Sequence, residues 1–356
     1  MDFSEFLYFT PRLDRAPDGE RSRLSRLYKA GHVVRIQPSV YLDTDQWLGL
    51  SFADRRRSFI GAFGLTGKRS VLVGLSALSL YGVPLIQFGS PVSNLVNVGV
   101  NSVNAVRKRK QVSCYGNEQD AIARYNKRST SNGSHVLPKP PLIRGQLLTP
   151  NAPRSLTFGS WEFPLLAEPL DIALTRSFHE LSFEDRVVAF EYLLRRGQAH
   201  GHHWTHQKLE ELALSLPDNR RRSRIQIAAK FSRTESESVG ESMSRALMYR
   251  LGFEEPELQQ SFQLPNGRIA RPDYLWRSAK IVGEFDGAQK YTRSKTVSGK
   301  DAGQVVYEEK QREDSIRSMG LGMCRWGWNE LMNPATFASL LVAAGVPRPF
   351  PRGRNV

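Results

Sequence analysis

Three acidic residues in the last third of the chain have the types and the spacing of a site that handles phosphate. Asp273 follows Pro272 in a stretch that predicts a β-strand, and Glu284 and Asp286 lie two residues apart in the next predicted strand, Ile281–Asp286. Because side chains alternate along a strand, Glu284 and Asp286 are expected on one face of the sheet. Two carboxylates buried side by side would be costly, so this face needs a cation or solvent.

Mg²⁺ (or Mn²⁺) is the cation that suits these acids. Magnesium takes hard oxygen ligands, uses few protein contacts and leaves its other positions to water and substrate phosphate. Bound there, it could activate water and neutralise charge on a scissile phosphate. We therefore predict that Asp273, Glu284 and Asp286 hold the metal. Glu241, on the preceding predicted helix, is a fourth candidate.

The elements around these acids predict an α/β domain with a mixed sheet, in the order α-β-β-β-α-β-α. Turn residues and helix-ending glycines separate the elements. The predicted elements are a helix over Ser238–Leu251, strands over Leu258–Gln263, Ile269–Trp276 and Ile281–Asp286, a helix over Gln304–Met319, a strand over Met323–Trp328 and a helix around Pro334–Ala344.

A cationic side chain near the acids could orient water or stabilise developing charge. Lys290 lies just beyond the third strand, and Lys310 lies on the next predicted helix near Arg312. Both lysines could equally be ordinary surface residues. Arg312 is a candidate DNA-binding residue. Glu241 and Arg312 could likewise belong to structural ion pairs of their helices.

Several ordered blocks over about residues 236–332 resemble one branch of the PD-(D/E)XK nucleases. That branch is the very-short-patch-repair-like endonuclease domain found in many actinobacterial proteins. The blocks are Ser238–Arg245, Pro256–Gln259, Arg271–Tyr274, Gly283–Gly287 and Glu309–Asp314, through Gly320 to Arg325 and Trp326.

The resemblance implies a restriction-endonuclease-like core that cleaves DNA, with Glu241, Asp273 and Glu284 as the matching acids and Asp286 beside them. The lysine of the motif would fall at Asp286. This branch commonly shows an acid there.

The charge of the whole chain predicts a polyanionic partner. Its 356 residues include 50 Lys and Arg against 35 Asp and Glu, a net charge of +15. An excess of this size favours nucleic acid over a membrane surface. The 40% hydrophobic content excludes a mainly disordered chain.

The cysteine content and the hydropathy limit the location and the kinds of site. Two cysteines exclude a disulfide scaffold and a cysteine-ligated zinc site, and they favour a reducing, cytoplasmic compartment. The longest apolar stretch, around Val71–Leu85, is too short and too interrupted to span a bilayer, so no membrane association is expected.

Basic residues near the start of the chain lie on a predicted helix, Asp18–Ala30, and on the short hairpin that follows it, His32–Leu42. A helix followed by a small β-wing is the terminal half of a winged helix-turn-helix. These residues could contact phosphates or form a solvated helix face. They are Arg21, Arg23, Arg26, Lys29 and Arg35.

The blocks Leu27–Arg35 and Gly74–Gly82, within about residues 20–90, are similar to the AbiEi-type antitoxin and transcriptional-regulator domain. The resemblance implies a winged helix that binds operator DNA, repression of the protein's own operon and a cognate toxin as partner.

A second basic segment, residues 101–160, holds ten Lys and Arg against two acids. We interpret it as a basic arm or hairpin region that either contacts phosphate or forms a solvated surface. Its densest run is Arg107, Lys108, Arg109 and Lys110.

Together these patterns predict a multidomain α+β chain with an α/β core at the C-terminus. The predicted parts are a winged-helix-like domain (1–95), a basic β/loop region (96–160), a helical connector (161–232), a nuclease-like domain (233–346) and a flexible tail (347–356).

Three functions fit this organisation. The first is a metal-dependent DNA endonuclease with a DNA-binding module. The second is a non-catalytic DNA-binding regulator, the antitoxin of a type IV toxin–antitoxin system, with a degenerate nuclease fold. The third is a nuclease acting on RNA, because fold alone does not separate DNA from RNA. The sequence leaves the oligomeric state open.

Overall fold

A computed structural model gives the structure of the chain. It describes residues 7–9, 19–37, 40–50, 52–66, 71–86, 95–100, 142–147, 153–156, 165–199, 202–265, 267–287, 302–354 and 356. The chain divides into two compact units, Met1–Glu180 and Leu181–Val356. Each contains helices and a mixed sheet, so the predicted α/β class is confirmed. The finer boundaries stay predictions.

The first unit begins with a helix and a hairpin, as predicted from the sequence. The two strands of the hairpin and an additional strand, β1, form a three-stranded antiparallel sheet in the order β1-β3-β2. Strand β1 was not predicted from the sequence. The elements are β1 (Leu7–Phe9), α1 (Glu20–Lys29), β2 (Val33–Gln37), β3 (Val40–Asp43), α2 (Thr44–Gly49) and α3 (Phe52–Thr66).

A five-stranded mixed sheet completes the first unit, in the order β6-β5-β4-β8-β7. The first two residues of the long apolar stretch noted in the sequence form the short strand β4, which pairs with β8. The elements are β4 (Val71–Leu72), α4 (Gly74–Leu80), β5 (Leu95–Val100), β6 (Leu142–Leu147), β7 (Arg154–Leu156), β8 (Leu165–Ala167) and α5 (Leu170–Ser177).

The buried Glu168, just after β8, joins these elements. Its carboxylate accepts the Gly74 N–H at the start of α4 and pairs with Arg176 of α5 at 2.9 Å. Burial raises the pKa of Glu168, and these two donors partly oppose that rise.

Helices open the second unit. Ser182 caps the first of them by accepting the Asp185 N–H at 3.0 Å, and Gly197 follows its last residue. The elements are α6 (Phe183–Arg196), β9 (Gln198–Ala199), β10 (His202–His203), α7 (His206–Leu214), α8 (Asn219–Phe231) and α9 (Val239–Leu251).

The mixed sheet of the second unit has the order β11-β14-β15-β16, in which only the β15–β16 pair is parallel. The unit has more elements than the predicted α-β-β-β-α-β-α. The strands predicted over Leu258–Gln263 and Ile269–Trp276 are each divided, because parts of them form a separate β12–β13 ribbon, and a short extra helix precedes the last helix. The elements are β11 (Glu257–Leu258), β12 (Phe262–Gln263), β13 (Ile269–Ala270), β14 (Tyr274–Trp276), β15 (Ile281–Phe285), α10 (Ala302–Ser318), β16 (Gly322–Trp326), α11 (Trp328–Leu331) and α12 (Pro334–Ala343).

Aromatic rings fill the space between this sheet and the helices. Tyr274 and Trp326 stack with ring centroids 5.4 Å apart, and Phe337 of α12 meets Trp326 edge-on at 5.3 Å. The Trp326 indole N–H donates to Ser244 Oγ of α9 at 2.8 Å. The buried Trp326 ring therefore contacts both α9 and α12.

The segment predicted as a flexible tail contacts the end of α9. The Arg354 guanidinium donates to the carbonyls of Tyr249 and Phe253 at 2.7 and 3.0 Å, and the Phe350 N–H donates to the Gly252 carbonyl at 3.1 Å. Arginine donors therefore pair with carbonyls at and just beyond the helix end, which need partners.

In the part of the chain that the structure describes, no helix is both long and apolar enough to cross a membrane.

Two glycines of the second unit lie against aromatic rings, and we predict that alanine is not tolerated at either. A Cβ at Gly283 would lie 2.9 Å from Trp276 and 2.8 Å from Trp326, and one at Gly240 would overlap the Phe285 ring. Overpacking of this kind costs about 1–3 kcal/mol. Urea denaturation of Gly240→Ala and Gly283→Ala should show that loss of unfolding free energy.

Gly61→Ala in α3 is the matched control, because a Cβ there meets nothing within 4 Å. It should be neutral or stabilise by up to about 1 kcal/mol, since alanine is a better helix former. Equal stability of all three variants would contradict this description of the core.

Candidate functional site

Asp273 and Glu284 lie next to each other at one end of the second unit's sheet. Asp273 precedes β14, and its Oδ2 accepts the backbone N–H of Phe285, the residue after Glu284, at 2.8 Å. This bond holds the Asp273 carboxylate at the end of β15. The structure therefore brings Asp273 and Glu284, the two acids predicted to have the main role, to the same end of the sheet.

Gln259 joins Asp273 to Glu241, the acid predicted on the preceding helix. Its side-chain amide donates to Glu241 Oε2 at 3.1 Å and to Asp273 Oδ1 at 3.4 Å. Its backbone N–H also donates to the Asp273 carbonyl, at 3.1 Å. Gln259 has a φ of 52°, a left-handed conformation that costs free energy in a residue other than glycine.

Glu241 is buried and forms hydrogen bonds with residues at the N-terminal end of α9. Its Oε2 accepts the Glu237 N–H at 2.7 Å, and its backbone N–H donates to Ser238 Oγ at 3.2 Å, which caps α9. Its carbonyl accepts the hydroxyl of the buried Tyr274 at 2.8 Å. Burial raises the pKa of Tyr274 well above its usual value, so this phenol stays a neutral donor.

Glu284 is paired with two arginines. Arg312 of α10 forms a two-pronged contact with both carboxylate oxygens, with Nη1 3.2 Å from Oε2. Arg325 of β16 donates from Nε to the same Oε2 at 3.1 Å. Only 14% of the Glu284 side chain is exposed, so these interactions are less screened than a surface pair.

Arg325 continues the network to a second acid. Its Nη1 lies 3.5 Å from Glu313 Oε2, and Glu313 also pairs with Arg317 one turn further along α10, at 2.9 Å. Guanidinium groups thus surround the glutamates at this end of the sheet. Sequence reasoning left Arg325 out of the site, although it is the register partner of Glu284 in the parallel β15–β16 pair.

Asp286 and Lys310 take less central positions. Asp286 lies one residue beyond β15, and its backbone N–H donates to the Trp326 carbonyl at 2.8 Å. Lys310 is exposed on α10. Among the described residues, the cations that contact Glu284 are Arg312 and Arg325, not Lys310. Lys290 lies outside the described residues.

The predicted DNA-binding residues of the first unit are partly described. Arg23, Arg26 and Lys29 are exposed and lie three residues apart along α1. Arg35 of β2 is half-buried, with its guanidinium 5.2 Å from the centre of the Tyr28 ring. Arg21 is on α1, but its side chain is outside the description, as is the whole run of Arg107, Lys108, Arg109 and Lys110.

The carboxylate oxygens of these acids are the donor type that magnesium prefers, but the acids do not form a complete set of ligands by themselves. Within the described ranges, no group of three or more His, Cys, Asp or Glu residues is placed to hold a metal. Magnesium needs only one or two carboxylates, with water and phosphate completing its shell. Asp273 and Glu284 meet that requirement, provided that Glu284 gives up part of its contact with the arginines.

Cys324 of β16 lies beside these acids but is not a candidate ligand. Burial, together with the nearby charge of Glu284, raises the pKa of its thiol to about 12. Metal binding requires the thiolate, and a thiol with this pKa stays protonated at neutral pH.

Comparison with known proteins adds no relative: no family model, curated protein or solved structure matches the chain. The two resemblances given by the sequence blocks therefore stay predictions that rest on those residues.

We predict that Gln259→Ala destabilises the second unit by about 1–3 kcal/mol, because it leaves two partly buried carboxylates without a shared donor. Urea denaturation would measure this loss. Gln260→Ala is the matched control, since its side chain donates only to the neighbouring Leu258 carbonyl, at 3.1 Å. Equal losses in both variants would contradict a bridging role for Gln259.

Proposed function

We propose that the chain is a DNA-binding nuclease that hydrolyses phosphodiester bonds in the presence of Mg²⁺ or Mn²⁺. The observation that carries this proposal is the hydrogen bond from the Phe285 N–H to Asp273, which holds that carboxylate beside Glu284. Two adjacent carboxylates at a sheet end suit a metal that works with substrate phosphate. The resemblance to the PD-(D/E)XK nucleases and the net charge of +15 support the same function.

In this proposal Asp273 and Glu284 would hold the metal, and Asp286 would assist them. The metal would supply an activated water and a Lewis acid for the phosphate. Glu241 and Gln259 keep the Asp273 carboxylate in position through the amide bridge. Lys290 or Lys310 would polarise water or phosphate.

Arg312 and Arg325 would take the role of the lysine that the PD-(D/E)XK motif has at the position of Asp286. Both arginine side chains are about 30% exposed, so they can reach an incoming phosphate. A planar guanidinium binds phosphate oxygens in pairs, as it does carboxylate oxygens. We assign these arginines to phosphate binding in the proposed nuclease.

We predict that Asp273→Asn and Glu284→Gln each abolish metal-dependent cleavage, because both substitutions remove an anionic ligand with almost no change of shape. The assay follows plasmid, single-stranded DNA and RNA with Mg²⁺, with Mn²⁺ and with EDTA. Glu257→Gln is the matched control, since this exposed acid pairs with Arg277 at 2.7 Å and lies outside the site. Cleavage that survives both site substitutions would disprove the assignment.

A second candidate is the non-catalytic DNA-binding regulator, an antitoxin-like protein with a toxin partner. The pairing of Glu284 with Arg312 and Arg325 favours it, because the acid then has its counter-charge without a metal. In this case the acids and arginines are structural, and DNA is bound but not cut.

Metal binding in the absence of DNA separates the two candidates. In the nuclease, Arg312→Ala or Arg325→Ala removes a cation that competes for Glu284, so calorimetry should show Mn²⁺ affinity rising by about three- to tenfold. DNA affinity should fall in the same variants. Arg317→Ala is the control, since this arginine pairs with Glu313 rather than Glu284. A wild type that binds DNA but never Mn²⁺ would favour the regulator.

A further inference from the structure

Helix α8 begins with a cluster of arginines that neither candidate function has used. Four of its first six residues are arginines, and Arg220, Arg221 and Arg224 among them are exposed. The fourth, Arg222, is partly buried and donates to the Leu216 carbonyl at 2.9 Å. We call the three exposed residues the arginine end of α8.

These arginines lie at the N-terminus of the helix, where positive charge is electrostatically unfavourable. The N-terminus of a helix carries a partial positive charge, so cations there are destabilising and acids stabilising. The first turn of α8 contains no acid, and its N-cap Asp218 accepts the Arg221 N–H at 3.0 Å. The Arg221 Nε lies 3.9 Å from Asp218 Oδ2 and the Arg221 side chain is 56% exposed, so the surface pair is loose.

The positive charge of Arg224 affects a buried arginine on the neighbouring helix α6. Arg186 of α6 is buried, and its pKa is lowered to about 10, first by burial and then by the charge of Arg224. Acids of α6, Asp185 and Glu184, oppose that effect. Arg224 therefore adds positive charge close to a buried cation of the same unit.

The other end of α8 lies next to the candidate site. Its last residue, Phe231, accepts from Arg245 at 2.8 Å, and Arg245 is on α9 one turn after Glu241. Thirteen residues of helix span about 20 Å. That length corresponds to about six base-pair steps of a DNA duplex.

We propose that the arginine end of α8 is a docking surface for the phosphate backbone of a nucleic acid, separate from the acids of the candidate site. The proposal rests on the proposed function in one respect: the strand held here is the one presented to those acids.

A membrane surface fits this helix less well. Of the apolar residues of α8, Ile225, Ala228, Ala229 and Phe231 are buried within the unit and Ile227 is half-buried. The helix therefore has no free apolar face to insert below lipid headgroups, as an interfacial helix requires. Exposed guanidinium groups on a rigid helix match phosphates spaced along a strand.

The test is the salt dependence of nucleic-acid binding by the full chain, with EDTA present so that cleavage plays no part. Fluorescence anisotropy on a 24-base-pair DNA, a single-stranded DNA and an RNA should give a linear fall of log affinity with log salt. We expect R220A/R221A/R224A to lower the magnitude of that slope by about 2–3, since each phosphate contact contributes about 0.9.

The substitutions should not harm folding, because alanine at the start of a helix removes unfavourable cations. A melting temperature equal to or above that of the wild type would verify this. The charge-matched control is R277A/R317A/R352A, three exposed arginines elsewhere in the same unit. Its slope should stay within about 1 of the wild-type value if no phosphate contact is lost.

Equal slopes for R220A/R221A/R224A and the wild type on all three nucleic acids would overturn the proposal. It would also be overturned if the variant lost binding to phosphatidylserine vesicles while keeping its affinity for nucleic acids. Failure of the nuclease proposal looks different: cleavage would be absent with every metal, while the slope still fell in the arginine variant.

Discussion

The second unit depends on giving partners to three carboxylates at one end of its sheet. Glu241, Asp273 and Glu284 lie where the end of the sheet meets α9, and an ionised carboxylate without a donor is costly there. The chain supplies a backbone N–H to Asp273, an amide to both Asp273 and Glu241, and guanidinium groups to Glu284. Because those donors come from β15, the segment after β11, α10 and β16, satisfying the acids also fixes how these elements meet.

The arginines of this unit occupy two electrostatic situations. Arg245 is fully buried against Glu191 and the Phe231 ring, and Arg312 and Arg325 are matched to Glu284. Those at the start of α8 face solvent with one acid nearby. Arg312 and Arg325 would have to exchange their carboxylate partner to bind phosphate, whereas the exposed arginines at the start of α8 are available to a partner without such an exchange. The net charge of the chain alone could not make that distinction.

Local patterns predicted much of the fold. Helix α6 lies within the stretch predicted as a helical connector, and Ser182 and Gly197 mark its ends as capping residues should. What the sequence could not supply was the pairing between distant segments. Arg325 becomes a site residue only because β16 lies parallel to β15 in the register that sets it opposite Glu284. Gln259 lies inside a stretch predicted as continuous strand, and its left-handed backbone ends β11 there.

The pairing of Glu284 with arginine also restricts how the site could change state. Separating Glu284 from its two arginines leaves charges that need new partners. Release requires another anion for the arginines, another cation for Glu284, or both together. A phosphodiester accompanied by a divalent metal supplies both, since phosphate can take the guanidinium groups while the metal takes the carboxylate. In the proposed nuclease the exchange of partners at Glu284 would therefore accompany substrate binding, and the cost of separating this ion pair would be met only when both new partners are present.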